Sequence, residues 1–221
     1  LQVINSIGNL KTFMSLVYLE KFLDERELQQ IAAPAIIRIA LPDSDGKNNF
    51  SGEIVRNLLE RVISVLTGEE SDYDIININN YLAQMPKEEG FVSMFNGKNL
   101  DGWQGMLLDG NPIKIAELSE AERAKAREEA DKKMVENWSV KDGQIVFNGH
   151  GANLVSVKKY KDFELIVDWK ITREGDSGIY LRGTPQVQIW DTSRVEVGAQ
   201  VGSGGLYNNN KDNVRNPLKV A

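Results

Sequence analysis

The chain carries 221 residues, 41% hydrophobic and 26% charged, with a net charge of −6. The length admits one large domain or two small ones, and the composition is that of a globular protein. The negative balance leaves no Lys/Arg excess to neutralise phosphates, which argues against a nucleic-acid partner. Cysteine is absent, which rules out disulfides, thiolate metal sites and cysteine nucleophiles. No run of about 18 apolar residues occurs, so no membrane span is expected. The chain opens at Leu1 with no visible signal peptide.

Residues 1 to about 88 read as helical. Leu28, Ile31, Ala32, Ala35, Ile36, Ile39 and Ala40 follow the i, i+3, i+4, i+7 spacing of a buried stripe, with Pro34 expected to kink or shorten the helix. Leu10, Phe13, Met14 and Val17 repeat that spacing upstream. After the polar loop from Pro42 to Asn49, Ser51 is a cap for a helix whose stripe runs from Ile54 through Leu66, and Gly68 is its stop. A last helix is expected over about Tyr73 to Ala83, before Pro86. Paired amphipathic helices in series resemble the end of a HEAT-type array, and a plain bundle fits the same pattern. The Asp43-Ser44-Asp45-Gly46 loop is not an EF-hand, because its glycine comes fourth and Ile54 stands where the bidentate Glu is required.

From Phe91 the pattern turns to strands and turns, starting with Phe91–Phe95. A charged helical insertion at about 118–134 interrupts them. Ser119 and Glu122 form a capping box there, and the mostly alanine stripe predicts a surface excursion. Trp138–Val140 and Gln144–Phe147 flank Asp142-Gly143, a strong hairpin signal. Phe163, Leu165, Val167 and Trp169 alternate with Glu164, Ile166, Asp168 and Lys170, predicting a further strand. Trp103, Trp138 and Trp169 read as core, and His150 as part of a turn. Gly198, Gly202, Gly204 and Gly205 predict a loop whose backbone approaches something closely, followed by Tyr207 and an asparagine run. The whole predicts an α+β multidomain chain, an α-helical segment at 1–88 followed by an antiparallel β-sandwich at 89–221.

The stretch from Asp176 to Asp191 carries the densest chemistry. Ile179 and Leu181 alternate with Tyr180 and Arg182, and Val187 and Ile189 alternate with Gln186, Gln188 and Trp190. Two strands joined at Gly183-Thr184-Pro185 would put the aliphatic set on one sheet face and a phenol, a guanidinium, two carboxamides and an indole on the other. Planar rings beside bidentate donors and acceptors suit a sugar, with its C–H faces and hydroxyl edges. Asp176, before Ser177-Gly178, reads as a turn former.

An ordered set of motifs resembles the 3-keto-disaccharide hydrolase family. They are Phe95-Asn96-Gly97-Lys98-Asn99-Leu100-Asp101-Gly102-Trp103, Trp138-Ser139-Val140-Lys141-Asp142-Gly143, Tyr160-Lys161-Asp162-Phe163-Glu164-Leu165, Asp176-Ser177-Gly178-Ile179-Tyr180-Leu181-Arg182, Val187-Gln188-Ile189-Trp190-Asp191 and Gly204-Gly205-Leu206-Tyr207. The resemblance covers about residues 89 to 221. It implies a concanavalin A-like jelly roll, here expected to be incomplete: relatives continue for several strands beyond the position of Ala221, which a further segment or chain would supply. The helical part is similar to a helical-repeat segment preceding this domain in some bacterial members. The family also implies a periplasmic or extracellular location.

The implied chemistry is cleavage of a glycosidic bond in a sugar already oxidised at carbon 3. It needs a base, a group to stabilise the enolate oxygen, and a possible divalent metal. Asp168 and Asp191 are the candidate carboxylates and Arg182 the oxyanion stabiliser or hydroxyl clamp. Tyr180, Gln186 and Gln188 would orient the oligosaccharide or 3-keto-glycoside, and Tyr207 would stack on it. Many relatives carry Glu where this chain has Gln186, and an amide cannot serve as a general base. With one histidine no multi-histidine metal site can form, although oxygen ligands could hold a hard cation. The same polar face would equally serve a non-catalytic carbohydrate-binding module, and a helical-repeat interaction protein with a purely structural sandwich is a third reading.

Overall fold

A computed structural model describes residues 2–43, 45–46, 50–68, 71–86, 89–183, 185–193 and 203–207. Ser44, Thr184, Gly198, Gly202 and the asparagine run after Tyr207 lie outside the described residues. The chain divides into two compact units, residues 1–96 and 97–221.

The first unit is all helical: α1 (Gln2–Ile7), α2 (Phe13–Glu20), α3 (Gln29–Ala40), α4 (Glu53–Val65) and α5 (Ser71–Gln84), with one 3-10 turn between α2 and α3. The predicted stripes form its core. Ala32, Ala35, Ile36, Ile39 and Ala40 of α3 are fully buried, as are Leu19, Val55, Leu59, Val62 and Ile78. Alanines let neighbouring backbones approach α3, which packs against α1, α2 and α4. Pro34 does not end α3. It is exposed, and losing one N–H leaves the helix carried by its buried alanine and isoleucine face. The α4 cap is Gly52 and not Ser51, whose carbonyl instead accepts the Phe91 N–H at 2.8 Å.

Phe91 marks a second departure from expectation. The Phe91–Phe95 run forms no strand, because Phe91 spends its N–H on Ser51 and its carbonyl on the Ile54 N–H at 3.3 Å. Its ring stacks on Phe13 at 3.5 Å and lies 6.0 Å from Phe50. The helical unit therefore extends past its last helix.

The second unit contains β1 (Trp103–Gly105), α6 (Pro112–Glu117), α7 (Glu120–Asn137), β2 (Trp138–Lys141), β3 (Gln144–Phe147), β4 (Leu154–Ser156), β5 (Asp176–Tyr180) and β6 (Gln186–Trp190). They form three antiparallel pairs among the described residues: β1 with β4, β2 with β3, β5 with β6. The β2–β3 turn is the predicted one, with φ of +50° at Asp142 and +72° at Gly143. Trp138 stacks on Phe147 at 4.3 Å and donates its indole N–H to the Ala152 carbonyl.

The charged insertion is longer than expected and is not a mere surface excursion. Ser119 and Glu122 form the capping box, but α7 continues to Asn137 and buries Ala130 and Met134. Asp131 accepts the Gly105 N–H at 2.9 Å and Arg127 donates to the Gly105 carbonyl at 2.5 Å, so α7 clamps β1 through both backbone groups. A Cβ at Gly105 would collide with the Ala130 carbonyl, which is why only glycine fits there.

The expected strand at 163–170 joins no ladder among the described residues. Alternation makes a segment amphipathic, but only a hydrogen-bonded neighbour makes it a strand. Phe163, Leu165, Val167 and Trp169 remain between 37% and 50% exposed, so Trp169 is not core.

Two stability outcomes follow. Phe91→Ala should cost about 3 kcal/mol, the low end for a phenylalanine truncation because the ring is only partly buried. Chemical denaturation of the helical unit checks it. Gly105→Ala should release the middle of α7 from β1, read as faster amide exchange at Gly105 and around Ala130.

Candidate functional site

The hairpin of β5 and β6 builds the site. Its register pairs Asp176 with Trp190, Gly178 with Gln188 and Tyr180 with Gln186, while Ser177 opposes Ile189 and Ile179 opposes Val187. Residues directly opposite share a face in an antiparallel pair. Asp176, Gly178, Tyr180, Gln186, Gln188 and Trp190 therefore form one face and the aliphatic residues the other, as the alternation predicted.

On the other edge of β6 lies the segment 203–207. Gln188 donates its backbone N–H to Gly205 at 2.8 Å and accepts from Gly204 at 2.9 Å, while Tyr207 donates to the Gln186 carbonyl at 2.9 Å. Of the glycines predicted to approach something closely, Gly204 and Gly205 approach β6. The Val187–Leu206 bridge sets Leu206 on the aliphatic side and brings Tyr207 opposite Gln186, on the polar face. Ser203 closes the end of the strand, accepting the Trp190 N–H at 2.8 Å and donating to the Trp190 carbonyl at 2.7 Å.

Gln188 is 1% exposed, and its side chain is hydrogen-bonded at both its nitrogen and its oxygen. Its Nε2 donates to Asp176 Oδ1 at 2.8 Å, and its Oε1 accepts from Gln186 Nε2 at 3.0 Å. The direction of this relay is dictated by its charged end. A carboxylate only accepts, so Gln188 must turn its NH₂ to Asp176 and its oxygen to residue 186, which must then donate. Glutamine does so and an ionised glutamate could not. This gives Gln186 a positive reason to be an amide.

Gly178 and Asp176 are the residues that sequence reasoning passed over. A Cβ on Gly178 would collide with Gln186 Nε2, so the bare backbone is what lets that carboxamide lie across β5. A glycine inside an alternating strand is the signal that could have found it. Asp176 looked like a turn former, yet it begins β5 within the ladder.

The remaining candidates are not all brought together. Tyr180 and Tyr207 are 48% and 50% exposed on the polar side, open to a ligand. Arg182 lies beyond β5 in the hairpin turn, exposed, with a φ of +56°. Asp168 is exposed on the 163–170 segment, which joins no ladder among the described residues, and it belongs to neither strand of the hairpin. Asp191 follows β6, and its Oδ2 accepts from the Ser193 hydroxyl and from the Glu174 N–H at 2.6 Å. Those two bonds, the Ser193 hydroxyl first, hold its carboxyl below the ordinary aspartate range. Its backbone N–H also donates to Gly175 at 3.1 Å, so Asp191 staples the loop entering β5 to the end of β6. Among the described residues no three His, Asp or Glu side chains converge as a cation site would require. Nor is any described helix long and apolar enough to cross a membrane.

Residues 90–220 match the model of the 3-keto-alpha-glucoside-1,2-lyase-like domain. The chain belongs to this family. A 3-keto-disaccharide hydrolase of Bacteroides thetaiotaomicron is 30% identical over 107 residues, which cover 44% of this chain and 29% of the relative. The chain thus spans less than a third of that relative's length. No solved structure matches. The hairpin site lies inside the family-matched region.

Because the Asp191 carboxyl is depressed on folding, the staple contributes stability above the ordinary aspartate pKa of about 4. It is lost as pH falls through the lowered value. The Glu174 amide resonance should therefore shift in acid along a titration displaced below pH 4. Asp191→Asn, which keeps an acceptor, should abolish that shift.

Proposed function

We propose that this chain is the carbohydrate-active domain of an enzyme that cleaves glycosidic bonds of 3-keto sugars. The observation that carries the reading is the polar face of β5–β6, in which two exposed tyrosines flank a buried, hydrogen-bonded amide relay within the family-matched region. Rings supply stacking surfaces and the amides hold a carboxylate in a set direction, the two requirements for binding and deprotonating a sugar.

In such a sugar the ketone at carbon 3 acidifies the hydrogen on carbon 2. A carboxylate takes that proton, and the C2–H electron pair becomes a double bond between carbons 1 and 2. The bond from carbon 1 to the glycosidic oxygen breaks, and the departing alkoxide takes a proton from water. The hydroxide left behind adds to carbon 1, and the carboxylic acid returns its proton to carbon 2, for net hydrolysis. Asp168 and Asp191 are the carboxylates that the family resemblance puts forward, and Arg182, in the hairpin turn, is the group that would stabilise the enolate oxygen. Tyr180, Gln186, Gln188 and Tyr207 would position the sugar. In the complete protein the domain is a concanavalin A-like sandwich completed by further strands, preceded by a HEAT-like helical segment and placed in the periplasm or outside the cell.

The test is turnover of 3-keto-trehalose and 3-keto-glucosides by the full-length protein, with and without divalent metal. Cleavage of the keto sugars and none of the parent glucosides is the expected outcome. Saturable binding with no cleavage would make the domain a carbohydrate-binding module instead.

A further inference from the structure

Three carboxylates border the β5–β6 hairpin or were expected at it, and they differ in where they stand. Asp191 is engaged by Ser193 and Glu174 in closing a loop. Asp168 sits outside the hairpin, on a segment that joins no ladder among the described residues. Asp176 stands on the polar face itself, opposite Trp190 and in line with Gly178 and Tyr180. It is the acid among the described residues that belongs to the same face as the tyrosines and the amides.

Asp176 is also oriented by something rigid. Gln188 is buried, its backbone N–H and carbonyl are both bonded to the 203–207 segment on one edge of β6, and its side chain delivers an N–H to Asp176 Oδ1. Gln186 fixes the other end of the Gln188 amide, and the missing Cβ of Gly178 gives Gln186 room to do so. Every part of the arrangement converges on the direction of one carboxylate. A general base needs this, because proton abstraction requires a fixed approach to the C–H bond.

We propose that Asp176 is the carboxylate that removes the carbon 2 proton at this site, and that Gly178 is a positioning residue acting through Gln186 and Gln188. This deepens the 3-keto-sugar reading and rests on it. The proton lost from carbon 2 passes to an Asp176 carboxylate oxygen, and the same acid returns it when water has added to carbon 1.

The experiment compares wild type, Asp176→Asn and Gly178→Ala in the full-length protein. It follows both cleavage of 3-keto-trehalose and deuterium exchange at its carbon 2 in heavy water. Asp176→Asn keeps an acceptor for Gln188 and should lower kcat about 100-fold or more and suppress the exchange equally, with KM within about threefold. Gly178→Ala leaves the carboxylate chemically intact and should lower kcat about tenfold, and adding it to Gln186→Ala should cost nothing further, because both changes release the same Gln188 amide. If Asp176→Asn does not fold, Asp176→Glu retains charge and acceptor, and should still lose about tenfold in kcat because the carboxylate is displaced by one methylene. A folded Asp176 variant that exchanges and cleaves at the wild-type rate overturns the assignment while leaving the keto-sugar reading intact. A wild-type protein that neither exchanges nor cleaves overturns the reading and the assignment with it.

Discussion

The hydrogen bonds of Gln188 are the constraint on which the rest of the hairpin depends. A buried carboxamide left unsatisfied costs on the order of 1–3 kcal/mol, so its partners are as restricted as the residue itself. Its backbone needs the glycines of 203–207 on one edge, and its side chain needs an acceptor at 176 and a donor at 186. Once the acceptor is a carboxylate, the donor cannot be one. The relay therefore links residue choice at three positions and ties the geometry of a solvent-facing surface to the interior of β6.

Glycine is used in the same manner at two separated points of the second unit. At Gly178 the absent Cβ makes room for a side chain, and at Gly105 it makes room for the Ala130 carbonyl on α7. In both cases the close approach is fixed by hydrogen bonds that a methyl group would break. The charged α7 helix consequently belongs to the framework of its unit. Its Arg127 and Asp131, which would pass for solvated i, i+4 surface charges, hold the backbone of β1. The aromatic group of Phe13, Phe50 and Phe91 plays a comparable part in the helical unit, joining a helix start, a loop and the segment that follows the last helix.

Much of the local structure was legible in the chain. The buried stripes of α3 and α4, the capping box of α7, the Asp142-Gly143 turn and the two faces of β5–β6 all follow from periodicity and turn chemistry, which act over a few residues. Expectations failed where a distant partner decided the outcome. Phe91 left the strand pattern because Ser51 and Ile54 claimed its backbone, and the 163–170 run joined no ladder among the described residues despite strong alternation. Trp169, read as core from its size and position, is 43% exposed for the same reason.

The amino-acid sequence by itself determined which residues share the hairpin's polar face and which family the chain resembles, because strand alternation and ordered motifs are local properties. Only the tertiary structure decided what each of those residues does. Asp191 became a loop staple because Ser193 and Glu174 reach its oxygen, and Asp176 became an oriented surface carboxylate because Gln188, diagonal to it across the hairpin, donates an N–H to it. Gly178 acquired a role because Gln186 crosses its position. These outcomes depend on hydrogen bonds between β5, β6 and their neighbours, and cross-strand register cannot be read from either strand alone.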